Sequence, residues 1–406
     1  MAILSVNAGS SSLKFSLYPV AQGQVQPQIL KGNIQGLEPG GAPVLDWATG
    51  EQVSRRALPA GPEPFVQALQ VLGEVLQGQD QLPPITAVAH RVVHGGREFT
   101  HSVEVTGPIL QSLAALNSLA PLHQPNNLLG IRAFQQAFPQ LPQIACFDTA
   151  FHATVDALHH RFALPDALAQ QGVRRYGFHG LSYQYIMGTL QERSARAQQR
   201  VLMAHLGNGA SVCAARAGKS VATSMGFSAL DGLMMGTRSG TLDPGVMLYL
   251  LEQGWDHRRL QDLLYRQSGL LGVSGISADM RTLRRDGSPQ ARFAIDMFTH
   301  RVVKQMGAMV ASLEGLDLLA FSGGIGEHDA VLRAEVCQRL GWLGVQIDLQ
   351  ANAAATGDQA VAIHRPESRM EVWVVPTDEG VVAAREAQTI LATRSRISTP
   401  KKNSPA

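Results

Sequence analysis

The chain has 406 residues, 45% hydrophobic and 16% charged, with 34 basic against 32 acidic side chains. That length predicts two domains and a large buried core. The net charge of +2 gives no electrostatic reason to expect nucleic acid or an anionic membrane as partner. Cys146, Cys213 and Cys337 are odd in number, widely spread and free of CxxC spacing. They read as reduced core thiols of a cytoplasmic protein, not as disulfides or a zinc site. The 13 histidines show no zinc-like spacing, so no transition-metal site is expected. No basic n-region opens the sequence and no stretch reaches 18 apolar residues, so neither a signal peptide nor a membrane span is expected.

The first element, LSVNAGSSSLKFSLY (4–18), reads as strand, small-residue turn, strand, with Lys14 just past the turn. Gly and Ser are ordinary turn residues. Residues without bulk also let backbone N–H groups converge on an anion, and the hydroxyls of Ser10, Ser11 and Ser12 and the Lys14 ammonium add donors. P-loop spacing is absent, so this stretch alone leaves connector and phosphate cradle both open. Residues 20–62 are rich in Gly, Pro and Gln and predict short strands and loops. PEPFVQALQVLGEVLQ (62–77) has helical spacing of its apolar positions. ITAVAHRVVHGG (85–96) reads as a buried strand running into a glycine turn, and QIACFDTAFH (143–152) repeats the pattern with Asp148 just past the apolar run. Residues 151–200 alternate short helical and irregular pieces. VLMAHLGNGASVCAA (201–215) is a second strand–turn–strand hairpin. A long helix is predicted over 291–315, then an apolar strand in LDLLAFSGGIG (316–326), a strand in EVWVVPTDEG (371–380) and a last helix, VVAAREAQTILATR. The terminus, STPKKNSPA, reads as a disordered tail.

The sequence carries an internal similarity. Displaced by 198 residues, LSVNAGSSSLKF lies over LMAHLGNGASVC: Leu4 meets Leu202, Asn7 meets His205, Gly9 meets Gly207. Each half later carries an apolar strand closing on paired glycines, Gly95–Gly96 and Gly323–Gly324. Two matched elements in the same order predict a duplicated α/β domain, with related hairpins facing each other to grip a polyphosphate from both sides.

The motifs NAGSSSLKF (7–15), HRVVHGG (90–96), PLHQPNN (121–127), FDTAFH (147–152), RRYGFHG (174–180), HLGNGASV (205–212), TSMGFSALDGLMMGTRSGTLDP (223–244), SGLLGVSGISADMR (268–281), FSGGIGEH (321–328) and PTDEG (376–380) occur in sequence. Together they closely resemble the acetate kinase family, the short-chain carboxylate kinases that make acyl phosphate from ATP. The resemblance runs from about residue 3 to 390, and the match over 223–244 is very specific. It implies an α/β fold of two duplicated actin-like ATPase (ribonuclease H-like) domains facing across a nucleotide cleft. Residues 1–150 would form the acyl and phosphoryl side, with a helix at 383–395 packing back on it, and 151–382 the nucleotide side, leaving 396–406 as a tail. The resemblance also implies a cytoplasmic homodimer.

The implied chemistry suits the residues. A carboxylate acceptor, with a reference pKa of roughly 4, is already ionised near pH 7 and needs no general base. Catalysis must hold two anions together and neutralise charge on the phosphoryl group in flight. Arg91 and Arg238 match the family's two arginines at the acceptor and the transferring phosphoryl, where a planar guanidinium fork serves carboxylate and phosphate alike. His179 matches the histidine that donates to the phosphoryl transition state. Asp148 matches the active-site aspartate, read as organiser of Mg²⁺ and the arginines. Asn7 and Glu379 match the metal-site residues, for Mg²⁺ with Mn²⁺ as alternative, since few protein ligands suffice when phosphates complete the shell. Lys14, Ser10 and Ser12 fall at the nucleotide phosphates, opposed by His205, Leu206, Gly207, Asn208 and Gly209. Asp279, Met280 and Arg281 lie where the family contacts adenosine. Gly323, Gly324, Ile325, Gly326, Glu327 and His328 form a cradle where backbone approaches nucleotide, and His123 is placed to support the phosphoryl site. Val93, Leu122 and Ala229 would wall the acyl methyl group.

Three departures stand out: Ala229 where the family usually has Pro, Tyr183 for the usual His, and His328 for the usual Asn. The last two are expected to leave the phosphoryl-transfer residues untouched. The smaller Ala229 keeps a propionate-preferring kinase open beside acetate kinase. Butyrate kinases fit worse, because of the NAGSSSLKF form. A sugar kinase would want a base aspartate and a polar pocket, and a non-catalytic actin- or chaperone-like scaffold would not need both Arg91 and Arg238.

Overall fold

The protein, described here as a computed structural model, is described over residues 1–9, 11–38, 41–58, 64–78, 81–121 and 123–398. Ser10, Leu122 and the tail 399–406 lie outside the described residues. The chain forms two compact units, Met1–Ala150 with the segment from Asp378, and Phe151–Thr377.

The first unit is built on a nine-stranded sheet. Its strands are β1 (Ala2–Ala8), β2 (Ser12–Ala21), β3 (Gln24–Val25), β4 (Leu30–Gln35), β5 (Val44–Thr49), β6 (Gln52–Ala57), β7 (Ile85–Val92), β8 (Val103–Glu104) and β9 (Gln143–Phe147). They lie in the order β6-β5-β4-β2-β1-β7-β9-β8, with β3 paired to β2. The expected short strands of 20–62 are thus an antiparallel meander that extends the sheet, ending in the exposed β6. Its Arg55 and Arg56 put charge on that edge, which discourages pairing with another chain. The central strands read as continuous apolar runs because helices cover both faces of the parallel region. β9, QIACF, is buried at every position. Leu4, Leu17, Leu72 and Phe134 belong to one core cluster, and Val92, Phe99, Leu128 and Phe147 to another.

The second unit holds a six-stranded sheet of β10 (Arg200–Leu206), β11 (Ala210–Arg216), β12 (Lys219–Thr223), β13 (Leu318–Ser322), β14 (Val361–Ala362) and β15 (Glu371–Val374), in the order β12-β11-β10-β13-β15-β14. The helix Pro289–Leu313 packs on this sheet and is capped by the Ser288 hydroxyl.

The two units repeat one plan. β4-β2-β1-β7-β9 and β12-β11-β10-β13-β15 share strand order, with the first two pairings antiparallel and the next two parallel. This is the actin-like ATPase sheet expected from the sequence, present in each unit. The register refines the repeat. Ala8 pairs with Leu13 and Asn7 with Lys14, whereas Leu206 pairs with Ala210 and His205 with Ser211. The first turn is one residue longer, so the displacement of 198 holds for β1 and β10 but drops to 197 on β2 and β11. Lys14 therefore corresponds to Ser211.

The C-terminal helix runs Glu379–Ser398, starting before the expected 383 and ending past 395. Asp378 accounts for the early start: its Oδ1 accepts from the Val381 amide at 3.0 Å and from the Tyr18 hydroxyl at 2.7 Å, an N-cap tied to β2. Val381, Val382, Ala383, Ala384 and Ala387 form the buried stripe of this helix. Among the described residues no helix is long and apolar enough to cross a membrane.

His90, His94 and His152 are buried, and burial lowers each pKa to about 4, opposed at His90 by a hydrogen bond to Gln143 and at His152 by one to the Phe178 carbonyl. An unfolded imidazole binds its proton near 6.5, so below that pH the unfolded chain takes up protons that the folded chain refuses. Stability should fall on acidification from about 6.5 towards 4, by up to about 1.4 kcal/mol per pH unit for each histidine. Imidazole NMR titrations should show three histidines still neutral at about pH 5, together with a lower urea midpoint there than at neutral pH. Three ordinary titrations would contradict this reading.

Candidate active site

In the first unit the C-terminal ends of the parallel strands meet the start of the C-terminal helix, the edge where open α/β sheets collect ligands. Arg91, near the end of β7, is the centre. Its Nη2 lies 2.5 Å from Asp148 Oδ2 and its Nε donates to Asp148 Oδ1 at 3.2 Å, a two-point fork. Nη1 donates to Asn7 Oδ1 at 3.3 Å, and Nε lies 3.4 Å from Glu379 Oε2. Asp148 is 1% exposed and its amide donates to the Val92 carbonyl at 3.0 Å, which ties the carboxylate to the strand end. Burial works against the guanidinium charge, but Asp148 and Glu379 outweigh it and hold the Arg91 pKa above its ordinary value. Asn7, Arg91, Asp148 and Glu379, drawn from four distant stretches, are therefore one cluster. Lys14 sits opposite Asn7 in the β1–β2 register and is exposed. The loop after β7 is pinned by two side chains of the helix Gln124–Ala137. Asn127 accepts from the Val93 amide at 3.0 Å and donates to the Ala8 carbonyl at 2.8 Å, while Gln124 exchanges bonds of 3.2 and 3.0 Å with the main chain of His94. Val93 is 5% exposed, and His123 stands at the N-terminus of that helix.

In the second unit the turn of the β10–β11 hairpin, Gly207–Gly209, lies against a histidine and an arginine. A Cβ added to Gly209 would sit 3.3 Å from His179 Nε2 and 3.9 Å from Arg238 Nη1, so only glycine leaves that space open. Arg238 Nη1 donates to the Ala229 carbonyl at 3.1 Å; Ala229 holds the arginine through its main chain. His179, in a left-handed conformation at φ 59°, precedes the helix Gly180–Gln191. A non-glycine residue there carries strain of the kind that collects at functional sites. Its Nδ1 is 2.8 Å from Ser211 Oγ, its ring stacks on His205 at 4.3 Å, and the Tyr183 hydroxyl reaches the same Ser211 Oγ at 2.5 Å. Tyr183 thus touches the His179 set, contrary to the expectation from sequence: it lies one helical turn after His179, on the same helix face.

Beside this hairpin is a cavity of ≈ 750 Å³ within the second unit. Gly207, Asn208, Asp279, Met280, Arg281, Gly324, Ile325 and His328 line it, together with Arg284 and Arg285, which sequence reasoning missed. Its volume fits a drug-sized ligand. Asp279 caps the helix Met280–Asp286, and Arg281 at 2.8 Å, with that cap, lowers its pKa to about 2. The helix Gly323–His328 starts directly at the end of β13, with Gly323 at φ 75° and close enough to the Leu206 carbonyl that a Cβ there would lie 2.7 Å away. Glu327 turns inward: its Oε1 accepts from Gly323 N, Thr377 N and Ser322 Oγ at 2.8, 3.1 and 3.3 Å. It clips the strand ends together, and His328 is the residue exposed to the cavity.

A sequence model of the acetokinase family matches residues 2–385. An acetate kinase of Rhodopseudomonas palustris is 48% identical over 389 residues, covering 94% of this chain and 96% of its own. Among solved structures, a propionate kinase of Francisella tularensis superposes with a TM-score of 0.88 at 36% identity, covering 95% of this chain and 98% of its own. The acetate kinase of Porphyromonas gingivalis gives 0.85 at 36% identity, covering 96% and 99%. The chain belongs to the acetokinase family. Its activity is acetate kinase activity, phosphoryl transfer to a carboxyl-group acceptor, and such kinase chemistry runs on ATP with a divalent cation.

The donor set of the first unit suits such a cation. Asn7 Oδ1 and Glu379 Oε2 are hard oxygen donors already grouped about one positive charge. Among the described residues no three or more His, Cys, Asp or Glu side chains converge.

One supporting residue left no trace in the sequence motifs. Arg333 is wholly buried, and its guanidinium donates to the carbonyls of Gly326, Glu327, Asn352 and Ala355 and to Asn352 Oδ1, at 2.7–3.0 Å. Burial lowers its pKa, with Asp329 opposing. It gathers the carbonyls at the end of the 323–328 helix. Arg333→Met should strand these buried acceptors and cost at least about 3 kcal/mol, read as a lowered denaturation midpoint, with a raised KM for ATP. An unchanged midpoint and KM would refute that role.

Proposed function

We propose that this chain makes acetyl phosphate from acetate and MgATP by one direct in-line transfer, reversibly, in the cytoplasm. The observation that carries this reading is the Arg91 guanidinium forked by the buried Asp148 carboxylate beside Asn7 and Glu379. It supports a site built to neutralise anions, with Asp148 spent on holding the arginine and not on removing a proton. The acceptor carboxylate arrives ionised. Arg91 binds and orients it, with Val93, Leu122 and Ala229 as the wall of the acyl pocket. Arg238 neutralises charge on the phosphoryl group in flight, and His179 donates a hydrogen bond to it. Asn7 and Glu379 would hold Mg²⁺, which would supply positive charge to the transfer. Lys14, Ser10 and Ser12, and the turn His205–Gly209, bind the phosphates. The cavity lined by Asp279, Met280, Arg281 and the 323–328 helix takes the adenosine. In this reading the first unit is the acyl side and the second the nucleotide side.

A second copy of the chain is the proposed macromolecular partner. Support comes from the helix Pro244–Glu252, which has no buried residue and exposes Val246, Leu248, Tyr249 and Leu251, an apolar surface of the kind that marks interfaces. Propionate is the alternative acceptor, because Ala229 leaves more room than the Pro usual in acetate kinases.

The test is incubation with MgATP and acetate, propionate or butyrate, trapping acyl phosphate with hydroxylamine. Hydroxamate from acetate or propionate supports the proposal, and ATP binding without any hydroxamate overturns it. Arg238→Ala should lower kcat by about 10³–10⁵; near-normal turnover would remove it from the mechanism. Ala229→Pro should raise the kcat/KM preference for acetate over propionate by up to about a hundredfold, the scale of one methylene. An unchanged ratio would take Ala229 out of the acyl pocket.

A further inference from the structure

We propose that Tyr183, acting through Ser211, fixes the proton of His179 on Nε2 and so keeps a hydrogen-bond donor aimed at the transferring phosphoryl group. The inference rests on the reading of His179 as that donor. Three observations carry it. First, the chain Tyr183 hydroxyl, Ser211 Oγ, His179 Nδ1 is continuous, with steps of 2.5 and 2.8 Å, and both Tyr183 and Ser211 are wholly buried. Second, the other ring nitrogen points the opposite way, with Nε2 facing the hairpin turn at Gly209 and Arg238 beyond it. Third, the backbone fixes the imidazole: His179 is in the left-handed region, makes no capping bond to its own helix, and stacks on His205, whose Nδ1 is occupied by Ser182 Oγ at 2.8 Å.

In the proposed relay the protons run from Tyr183 through Ser211 to His179. Burial raises the Tyr183 pKa well above the ordinary phenol value, so the hydroxyl keeps its proton. With its proton retained, the Tyr183 hydroxyl is placed to donate to Ser211 Oγ, 2.5 Å away. The serine hydroxyl has one proton; in the proposed relay Ser211 accepts from Tyr183 and turns that proton to His179 Nδ1, 2.8 Å away. An imidazole accepting at Nδ1 carries its proton on Nε2. Among the described residues, the titratable and charged groups around this set include His205 on the ring face, Arg238 at Gly209, and Tyr183, Cys213 and His152 on the Ser211 side. Tyr183 is on this account a positioning residue. It touches no reacting atom, and its effect passes through the imidazole.

The test uses the full chain. In the unaltered protein, ¹⁵N NMR of the imidazoles at neutral pH should show His179 protonated on Nε2 and bare on Nδ1. Tyr183→Phe keeps the ring in the core but removes the donor, so nothing biases the Ser211 proton toward Nδ1 and the two tautomers should mix. Its kcat should fall about 10–100-fold, the scale for partners that orient a functional histidine, with the KM values for ATP and acetate little changed and the pH profile of kcat altered. Ser211→Ala should reproduce the loss, and the double variant should lose no more than Ser211→Ala alone, because both act through one chain of bonds. Tyr183→His, which restores a donor, should recover part of the rate. A proton on Nδ1 in the unaltered protein, or a Tyr183→Phe variant with unchanged kcat and unchanged tautomer, would overturn the proposal. His179→Asn separates the two levels. If it is nearly inactive while Tyr183→Phe is normal, only the relay fails. If it retains full kcat, the donor role of His179 fails and the proposal with it.

Discussion

Much of the first unit's chemistry depends on one buried contact, the fork of Arg91 on Asp148. A guanidinium that must meet anions has to be held without being neutralised away, and the aspartate does this from a position 1% exposed at a strand end. Both carboxylate oxygens face the arginine. That geometry makes Asp148 a poor nucleophile and a poor base, and the reaction asks it to be neither. Asn7 and Glu379 complete the same cluster, so one residue from each of three adjacent parallel strands or their ends, and one from a helix start, share a single positive charge. Moving any of them would leave the guanidinium less well held in a partly dry site, where unpaired charge is expensive.

The duplicated sheet makes this possible, and the two copies use it differently. In the first unit the hairpin turn is longer and places Lys14 opposite Asn7; in the second it is one residue shorter, and the corresponding position is Ser211, opposite His205. One copy offers a charge at that position, the other a hydroxyl that reaches a histidine. The same strand order thus supplies a cation in one unit and a neutral relay in the other. The ends of β13 and β15 are clipped by Glu327 and the helix ends behind them by Arg333, whose polar atoms are taken up internally, while Asp279, Arg281, Arg284, Arg285 and His328 line the cavity.

Much of this was legible in the sequence. The repeated hairpin and paired glycines announced a duplicated α/β sheet, because apolar strands and turns leave a periodic trace. Arg91, Asp148, Asn7 and Glu379 stood in recognisable motifs. Their convergence was not readable from spacing, since they come from four separated stretches. Other features left no local trace. Arg333 is a charged residue on a helix, and nothing in its neighbourhood says that five acceptors surround it. Asn127 lay inside a quoted motif, yet its bonds to Val93 and Ala8 depend on how a helix packs over two strands. Tyr183 looked like a neutral substitution, and only the fold brings its hydroxyl to the serine that holds His179. The one-residue register change on β2 and β11 was hidden because the turns, not the strands, differ in length.

The proposed reaction is a single transfer onto a carboxylate that is already ionised, with the protein neutralising charge and forming no covalent bond to phosphorus. It is tested most directly by following configuration at phosphorus, using ATP made chiral at its γ-phosphorus with oxygen isotopes and acetate as acceptor. One in-line displacement predicts inverted configuration in the acetyl phosphate formed. Retention would mean two displacements through a phosphorylated side chain, and would contradict the account.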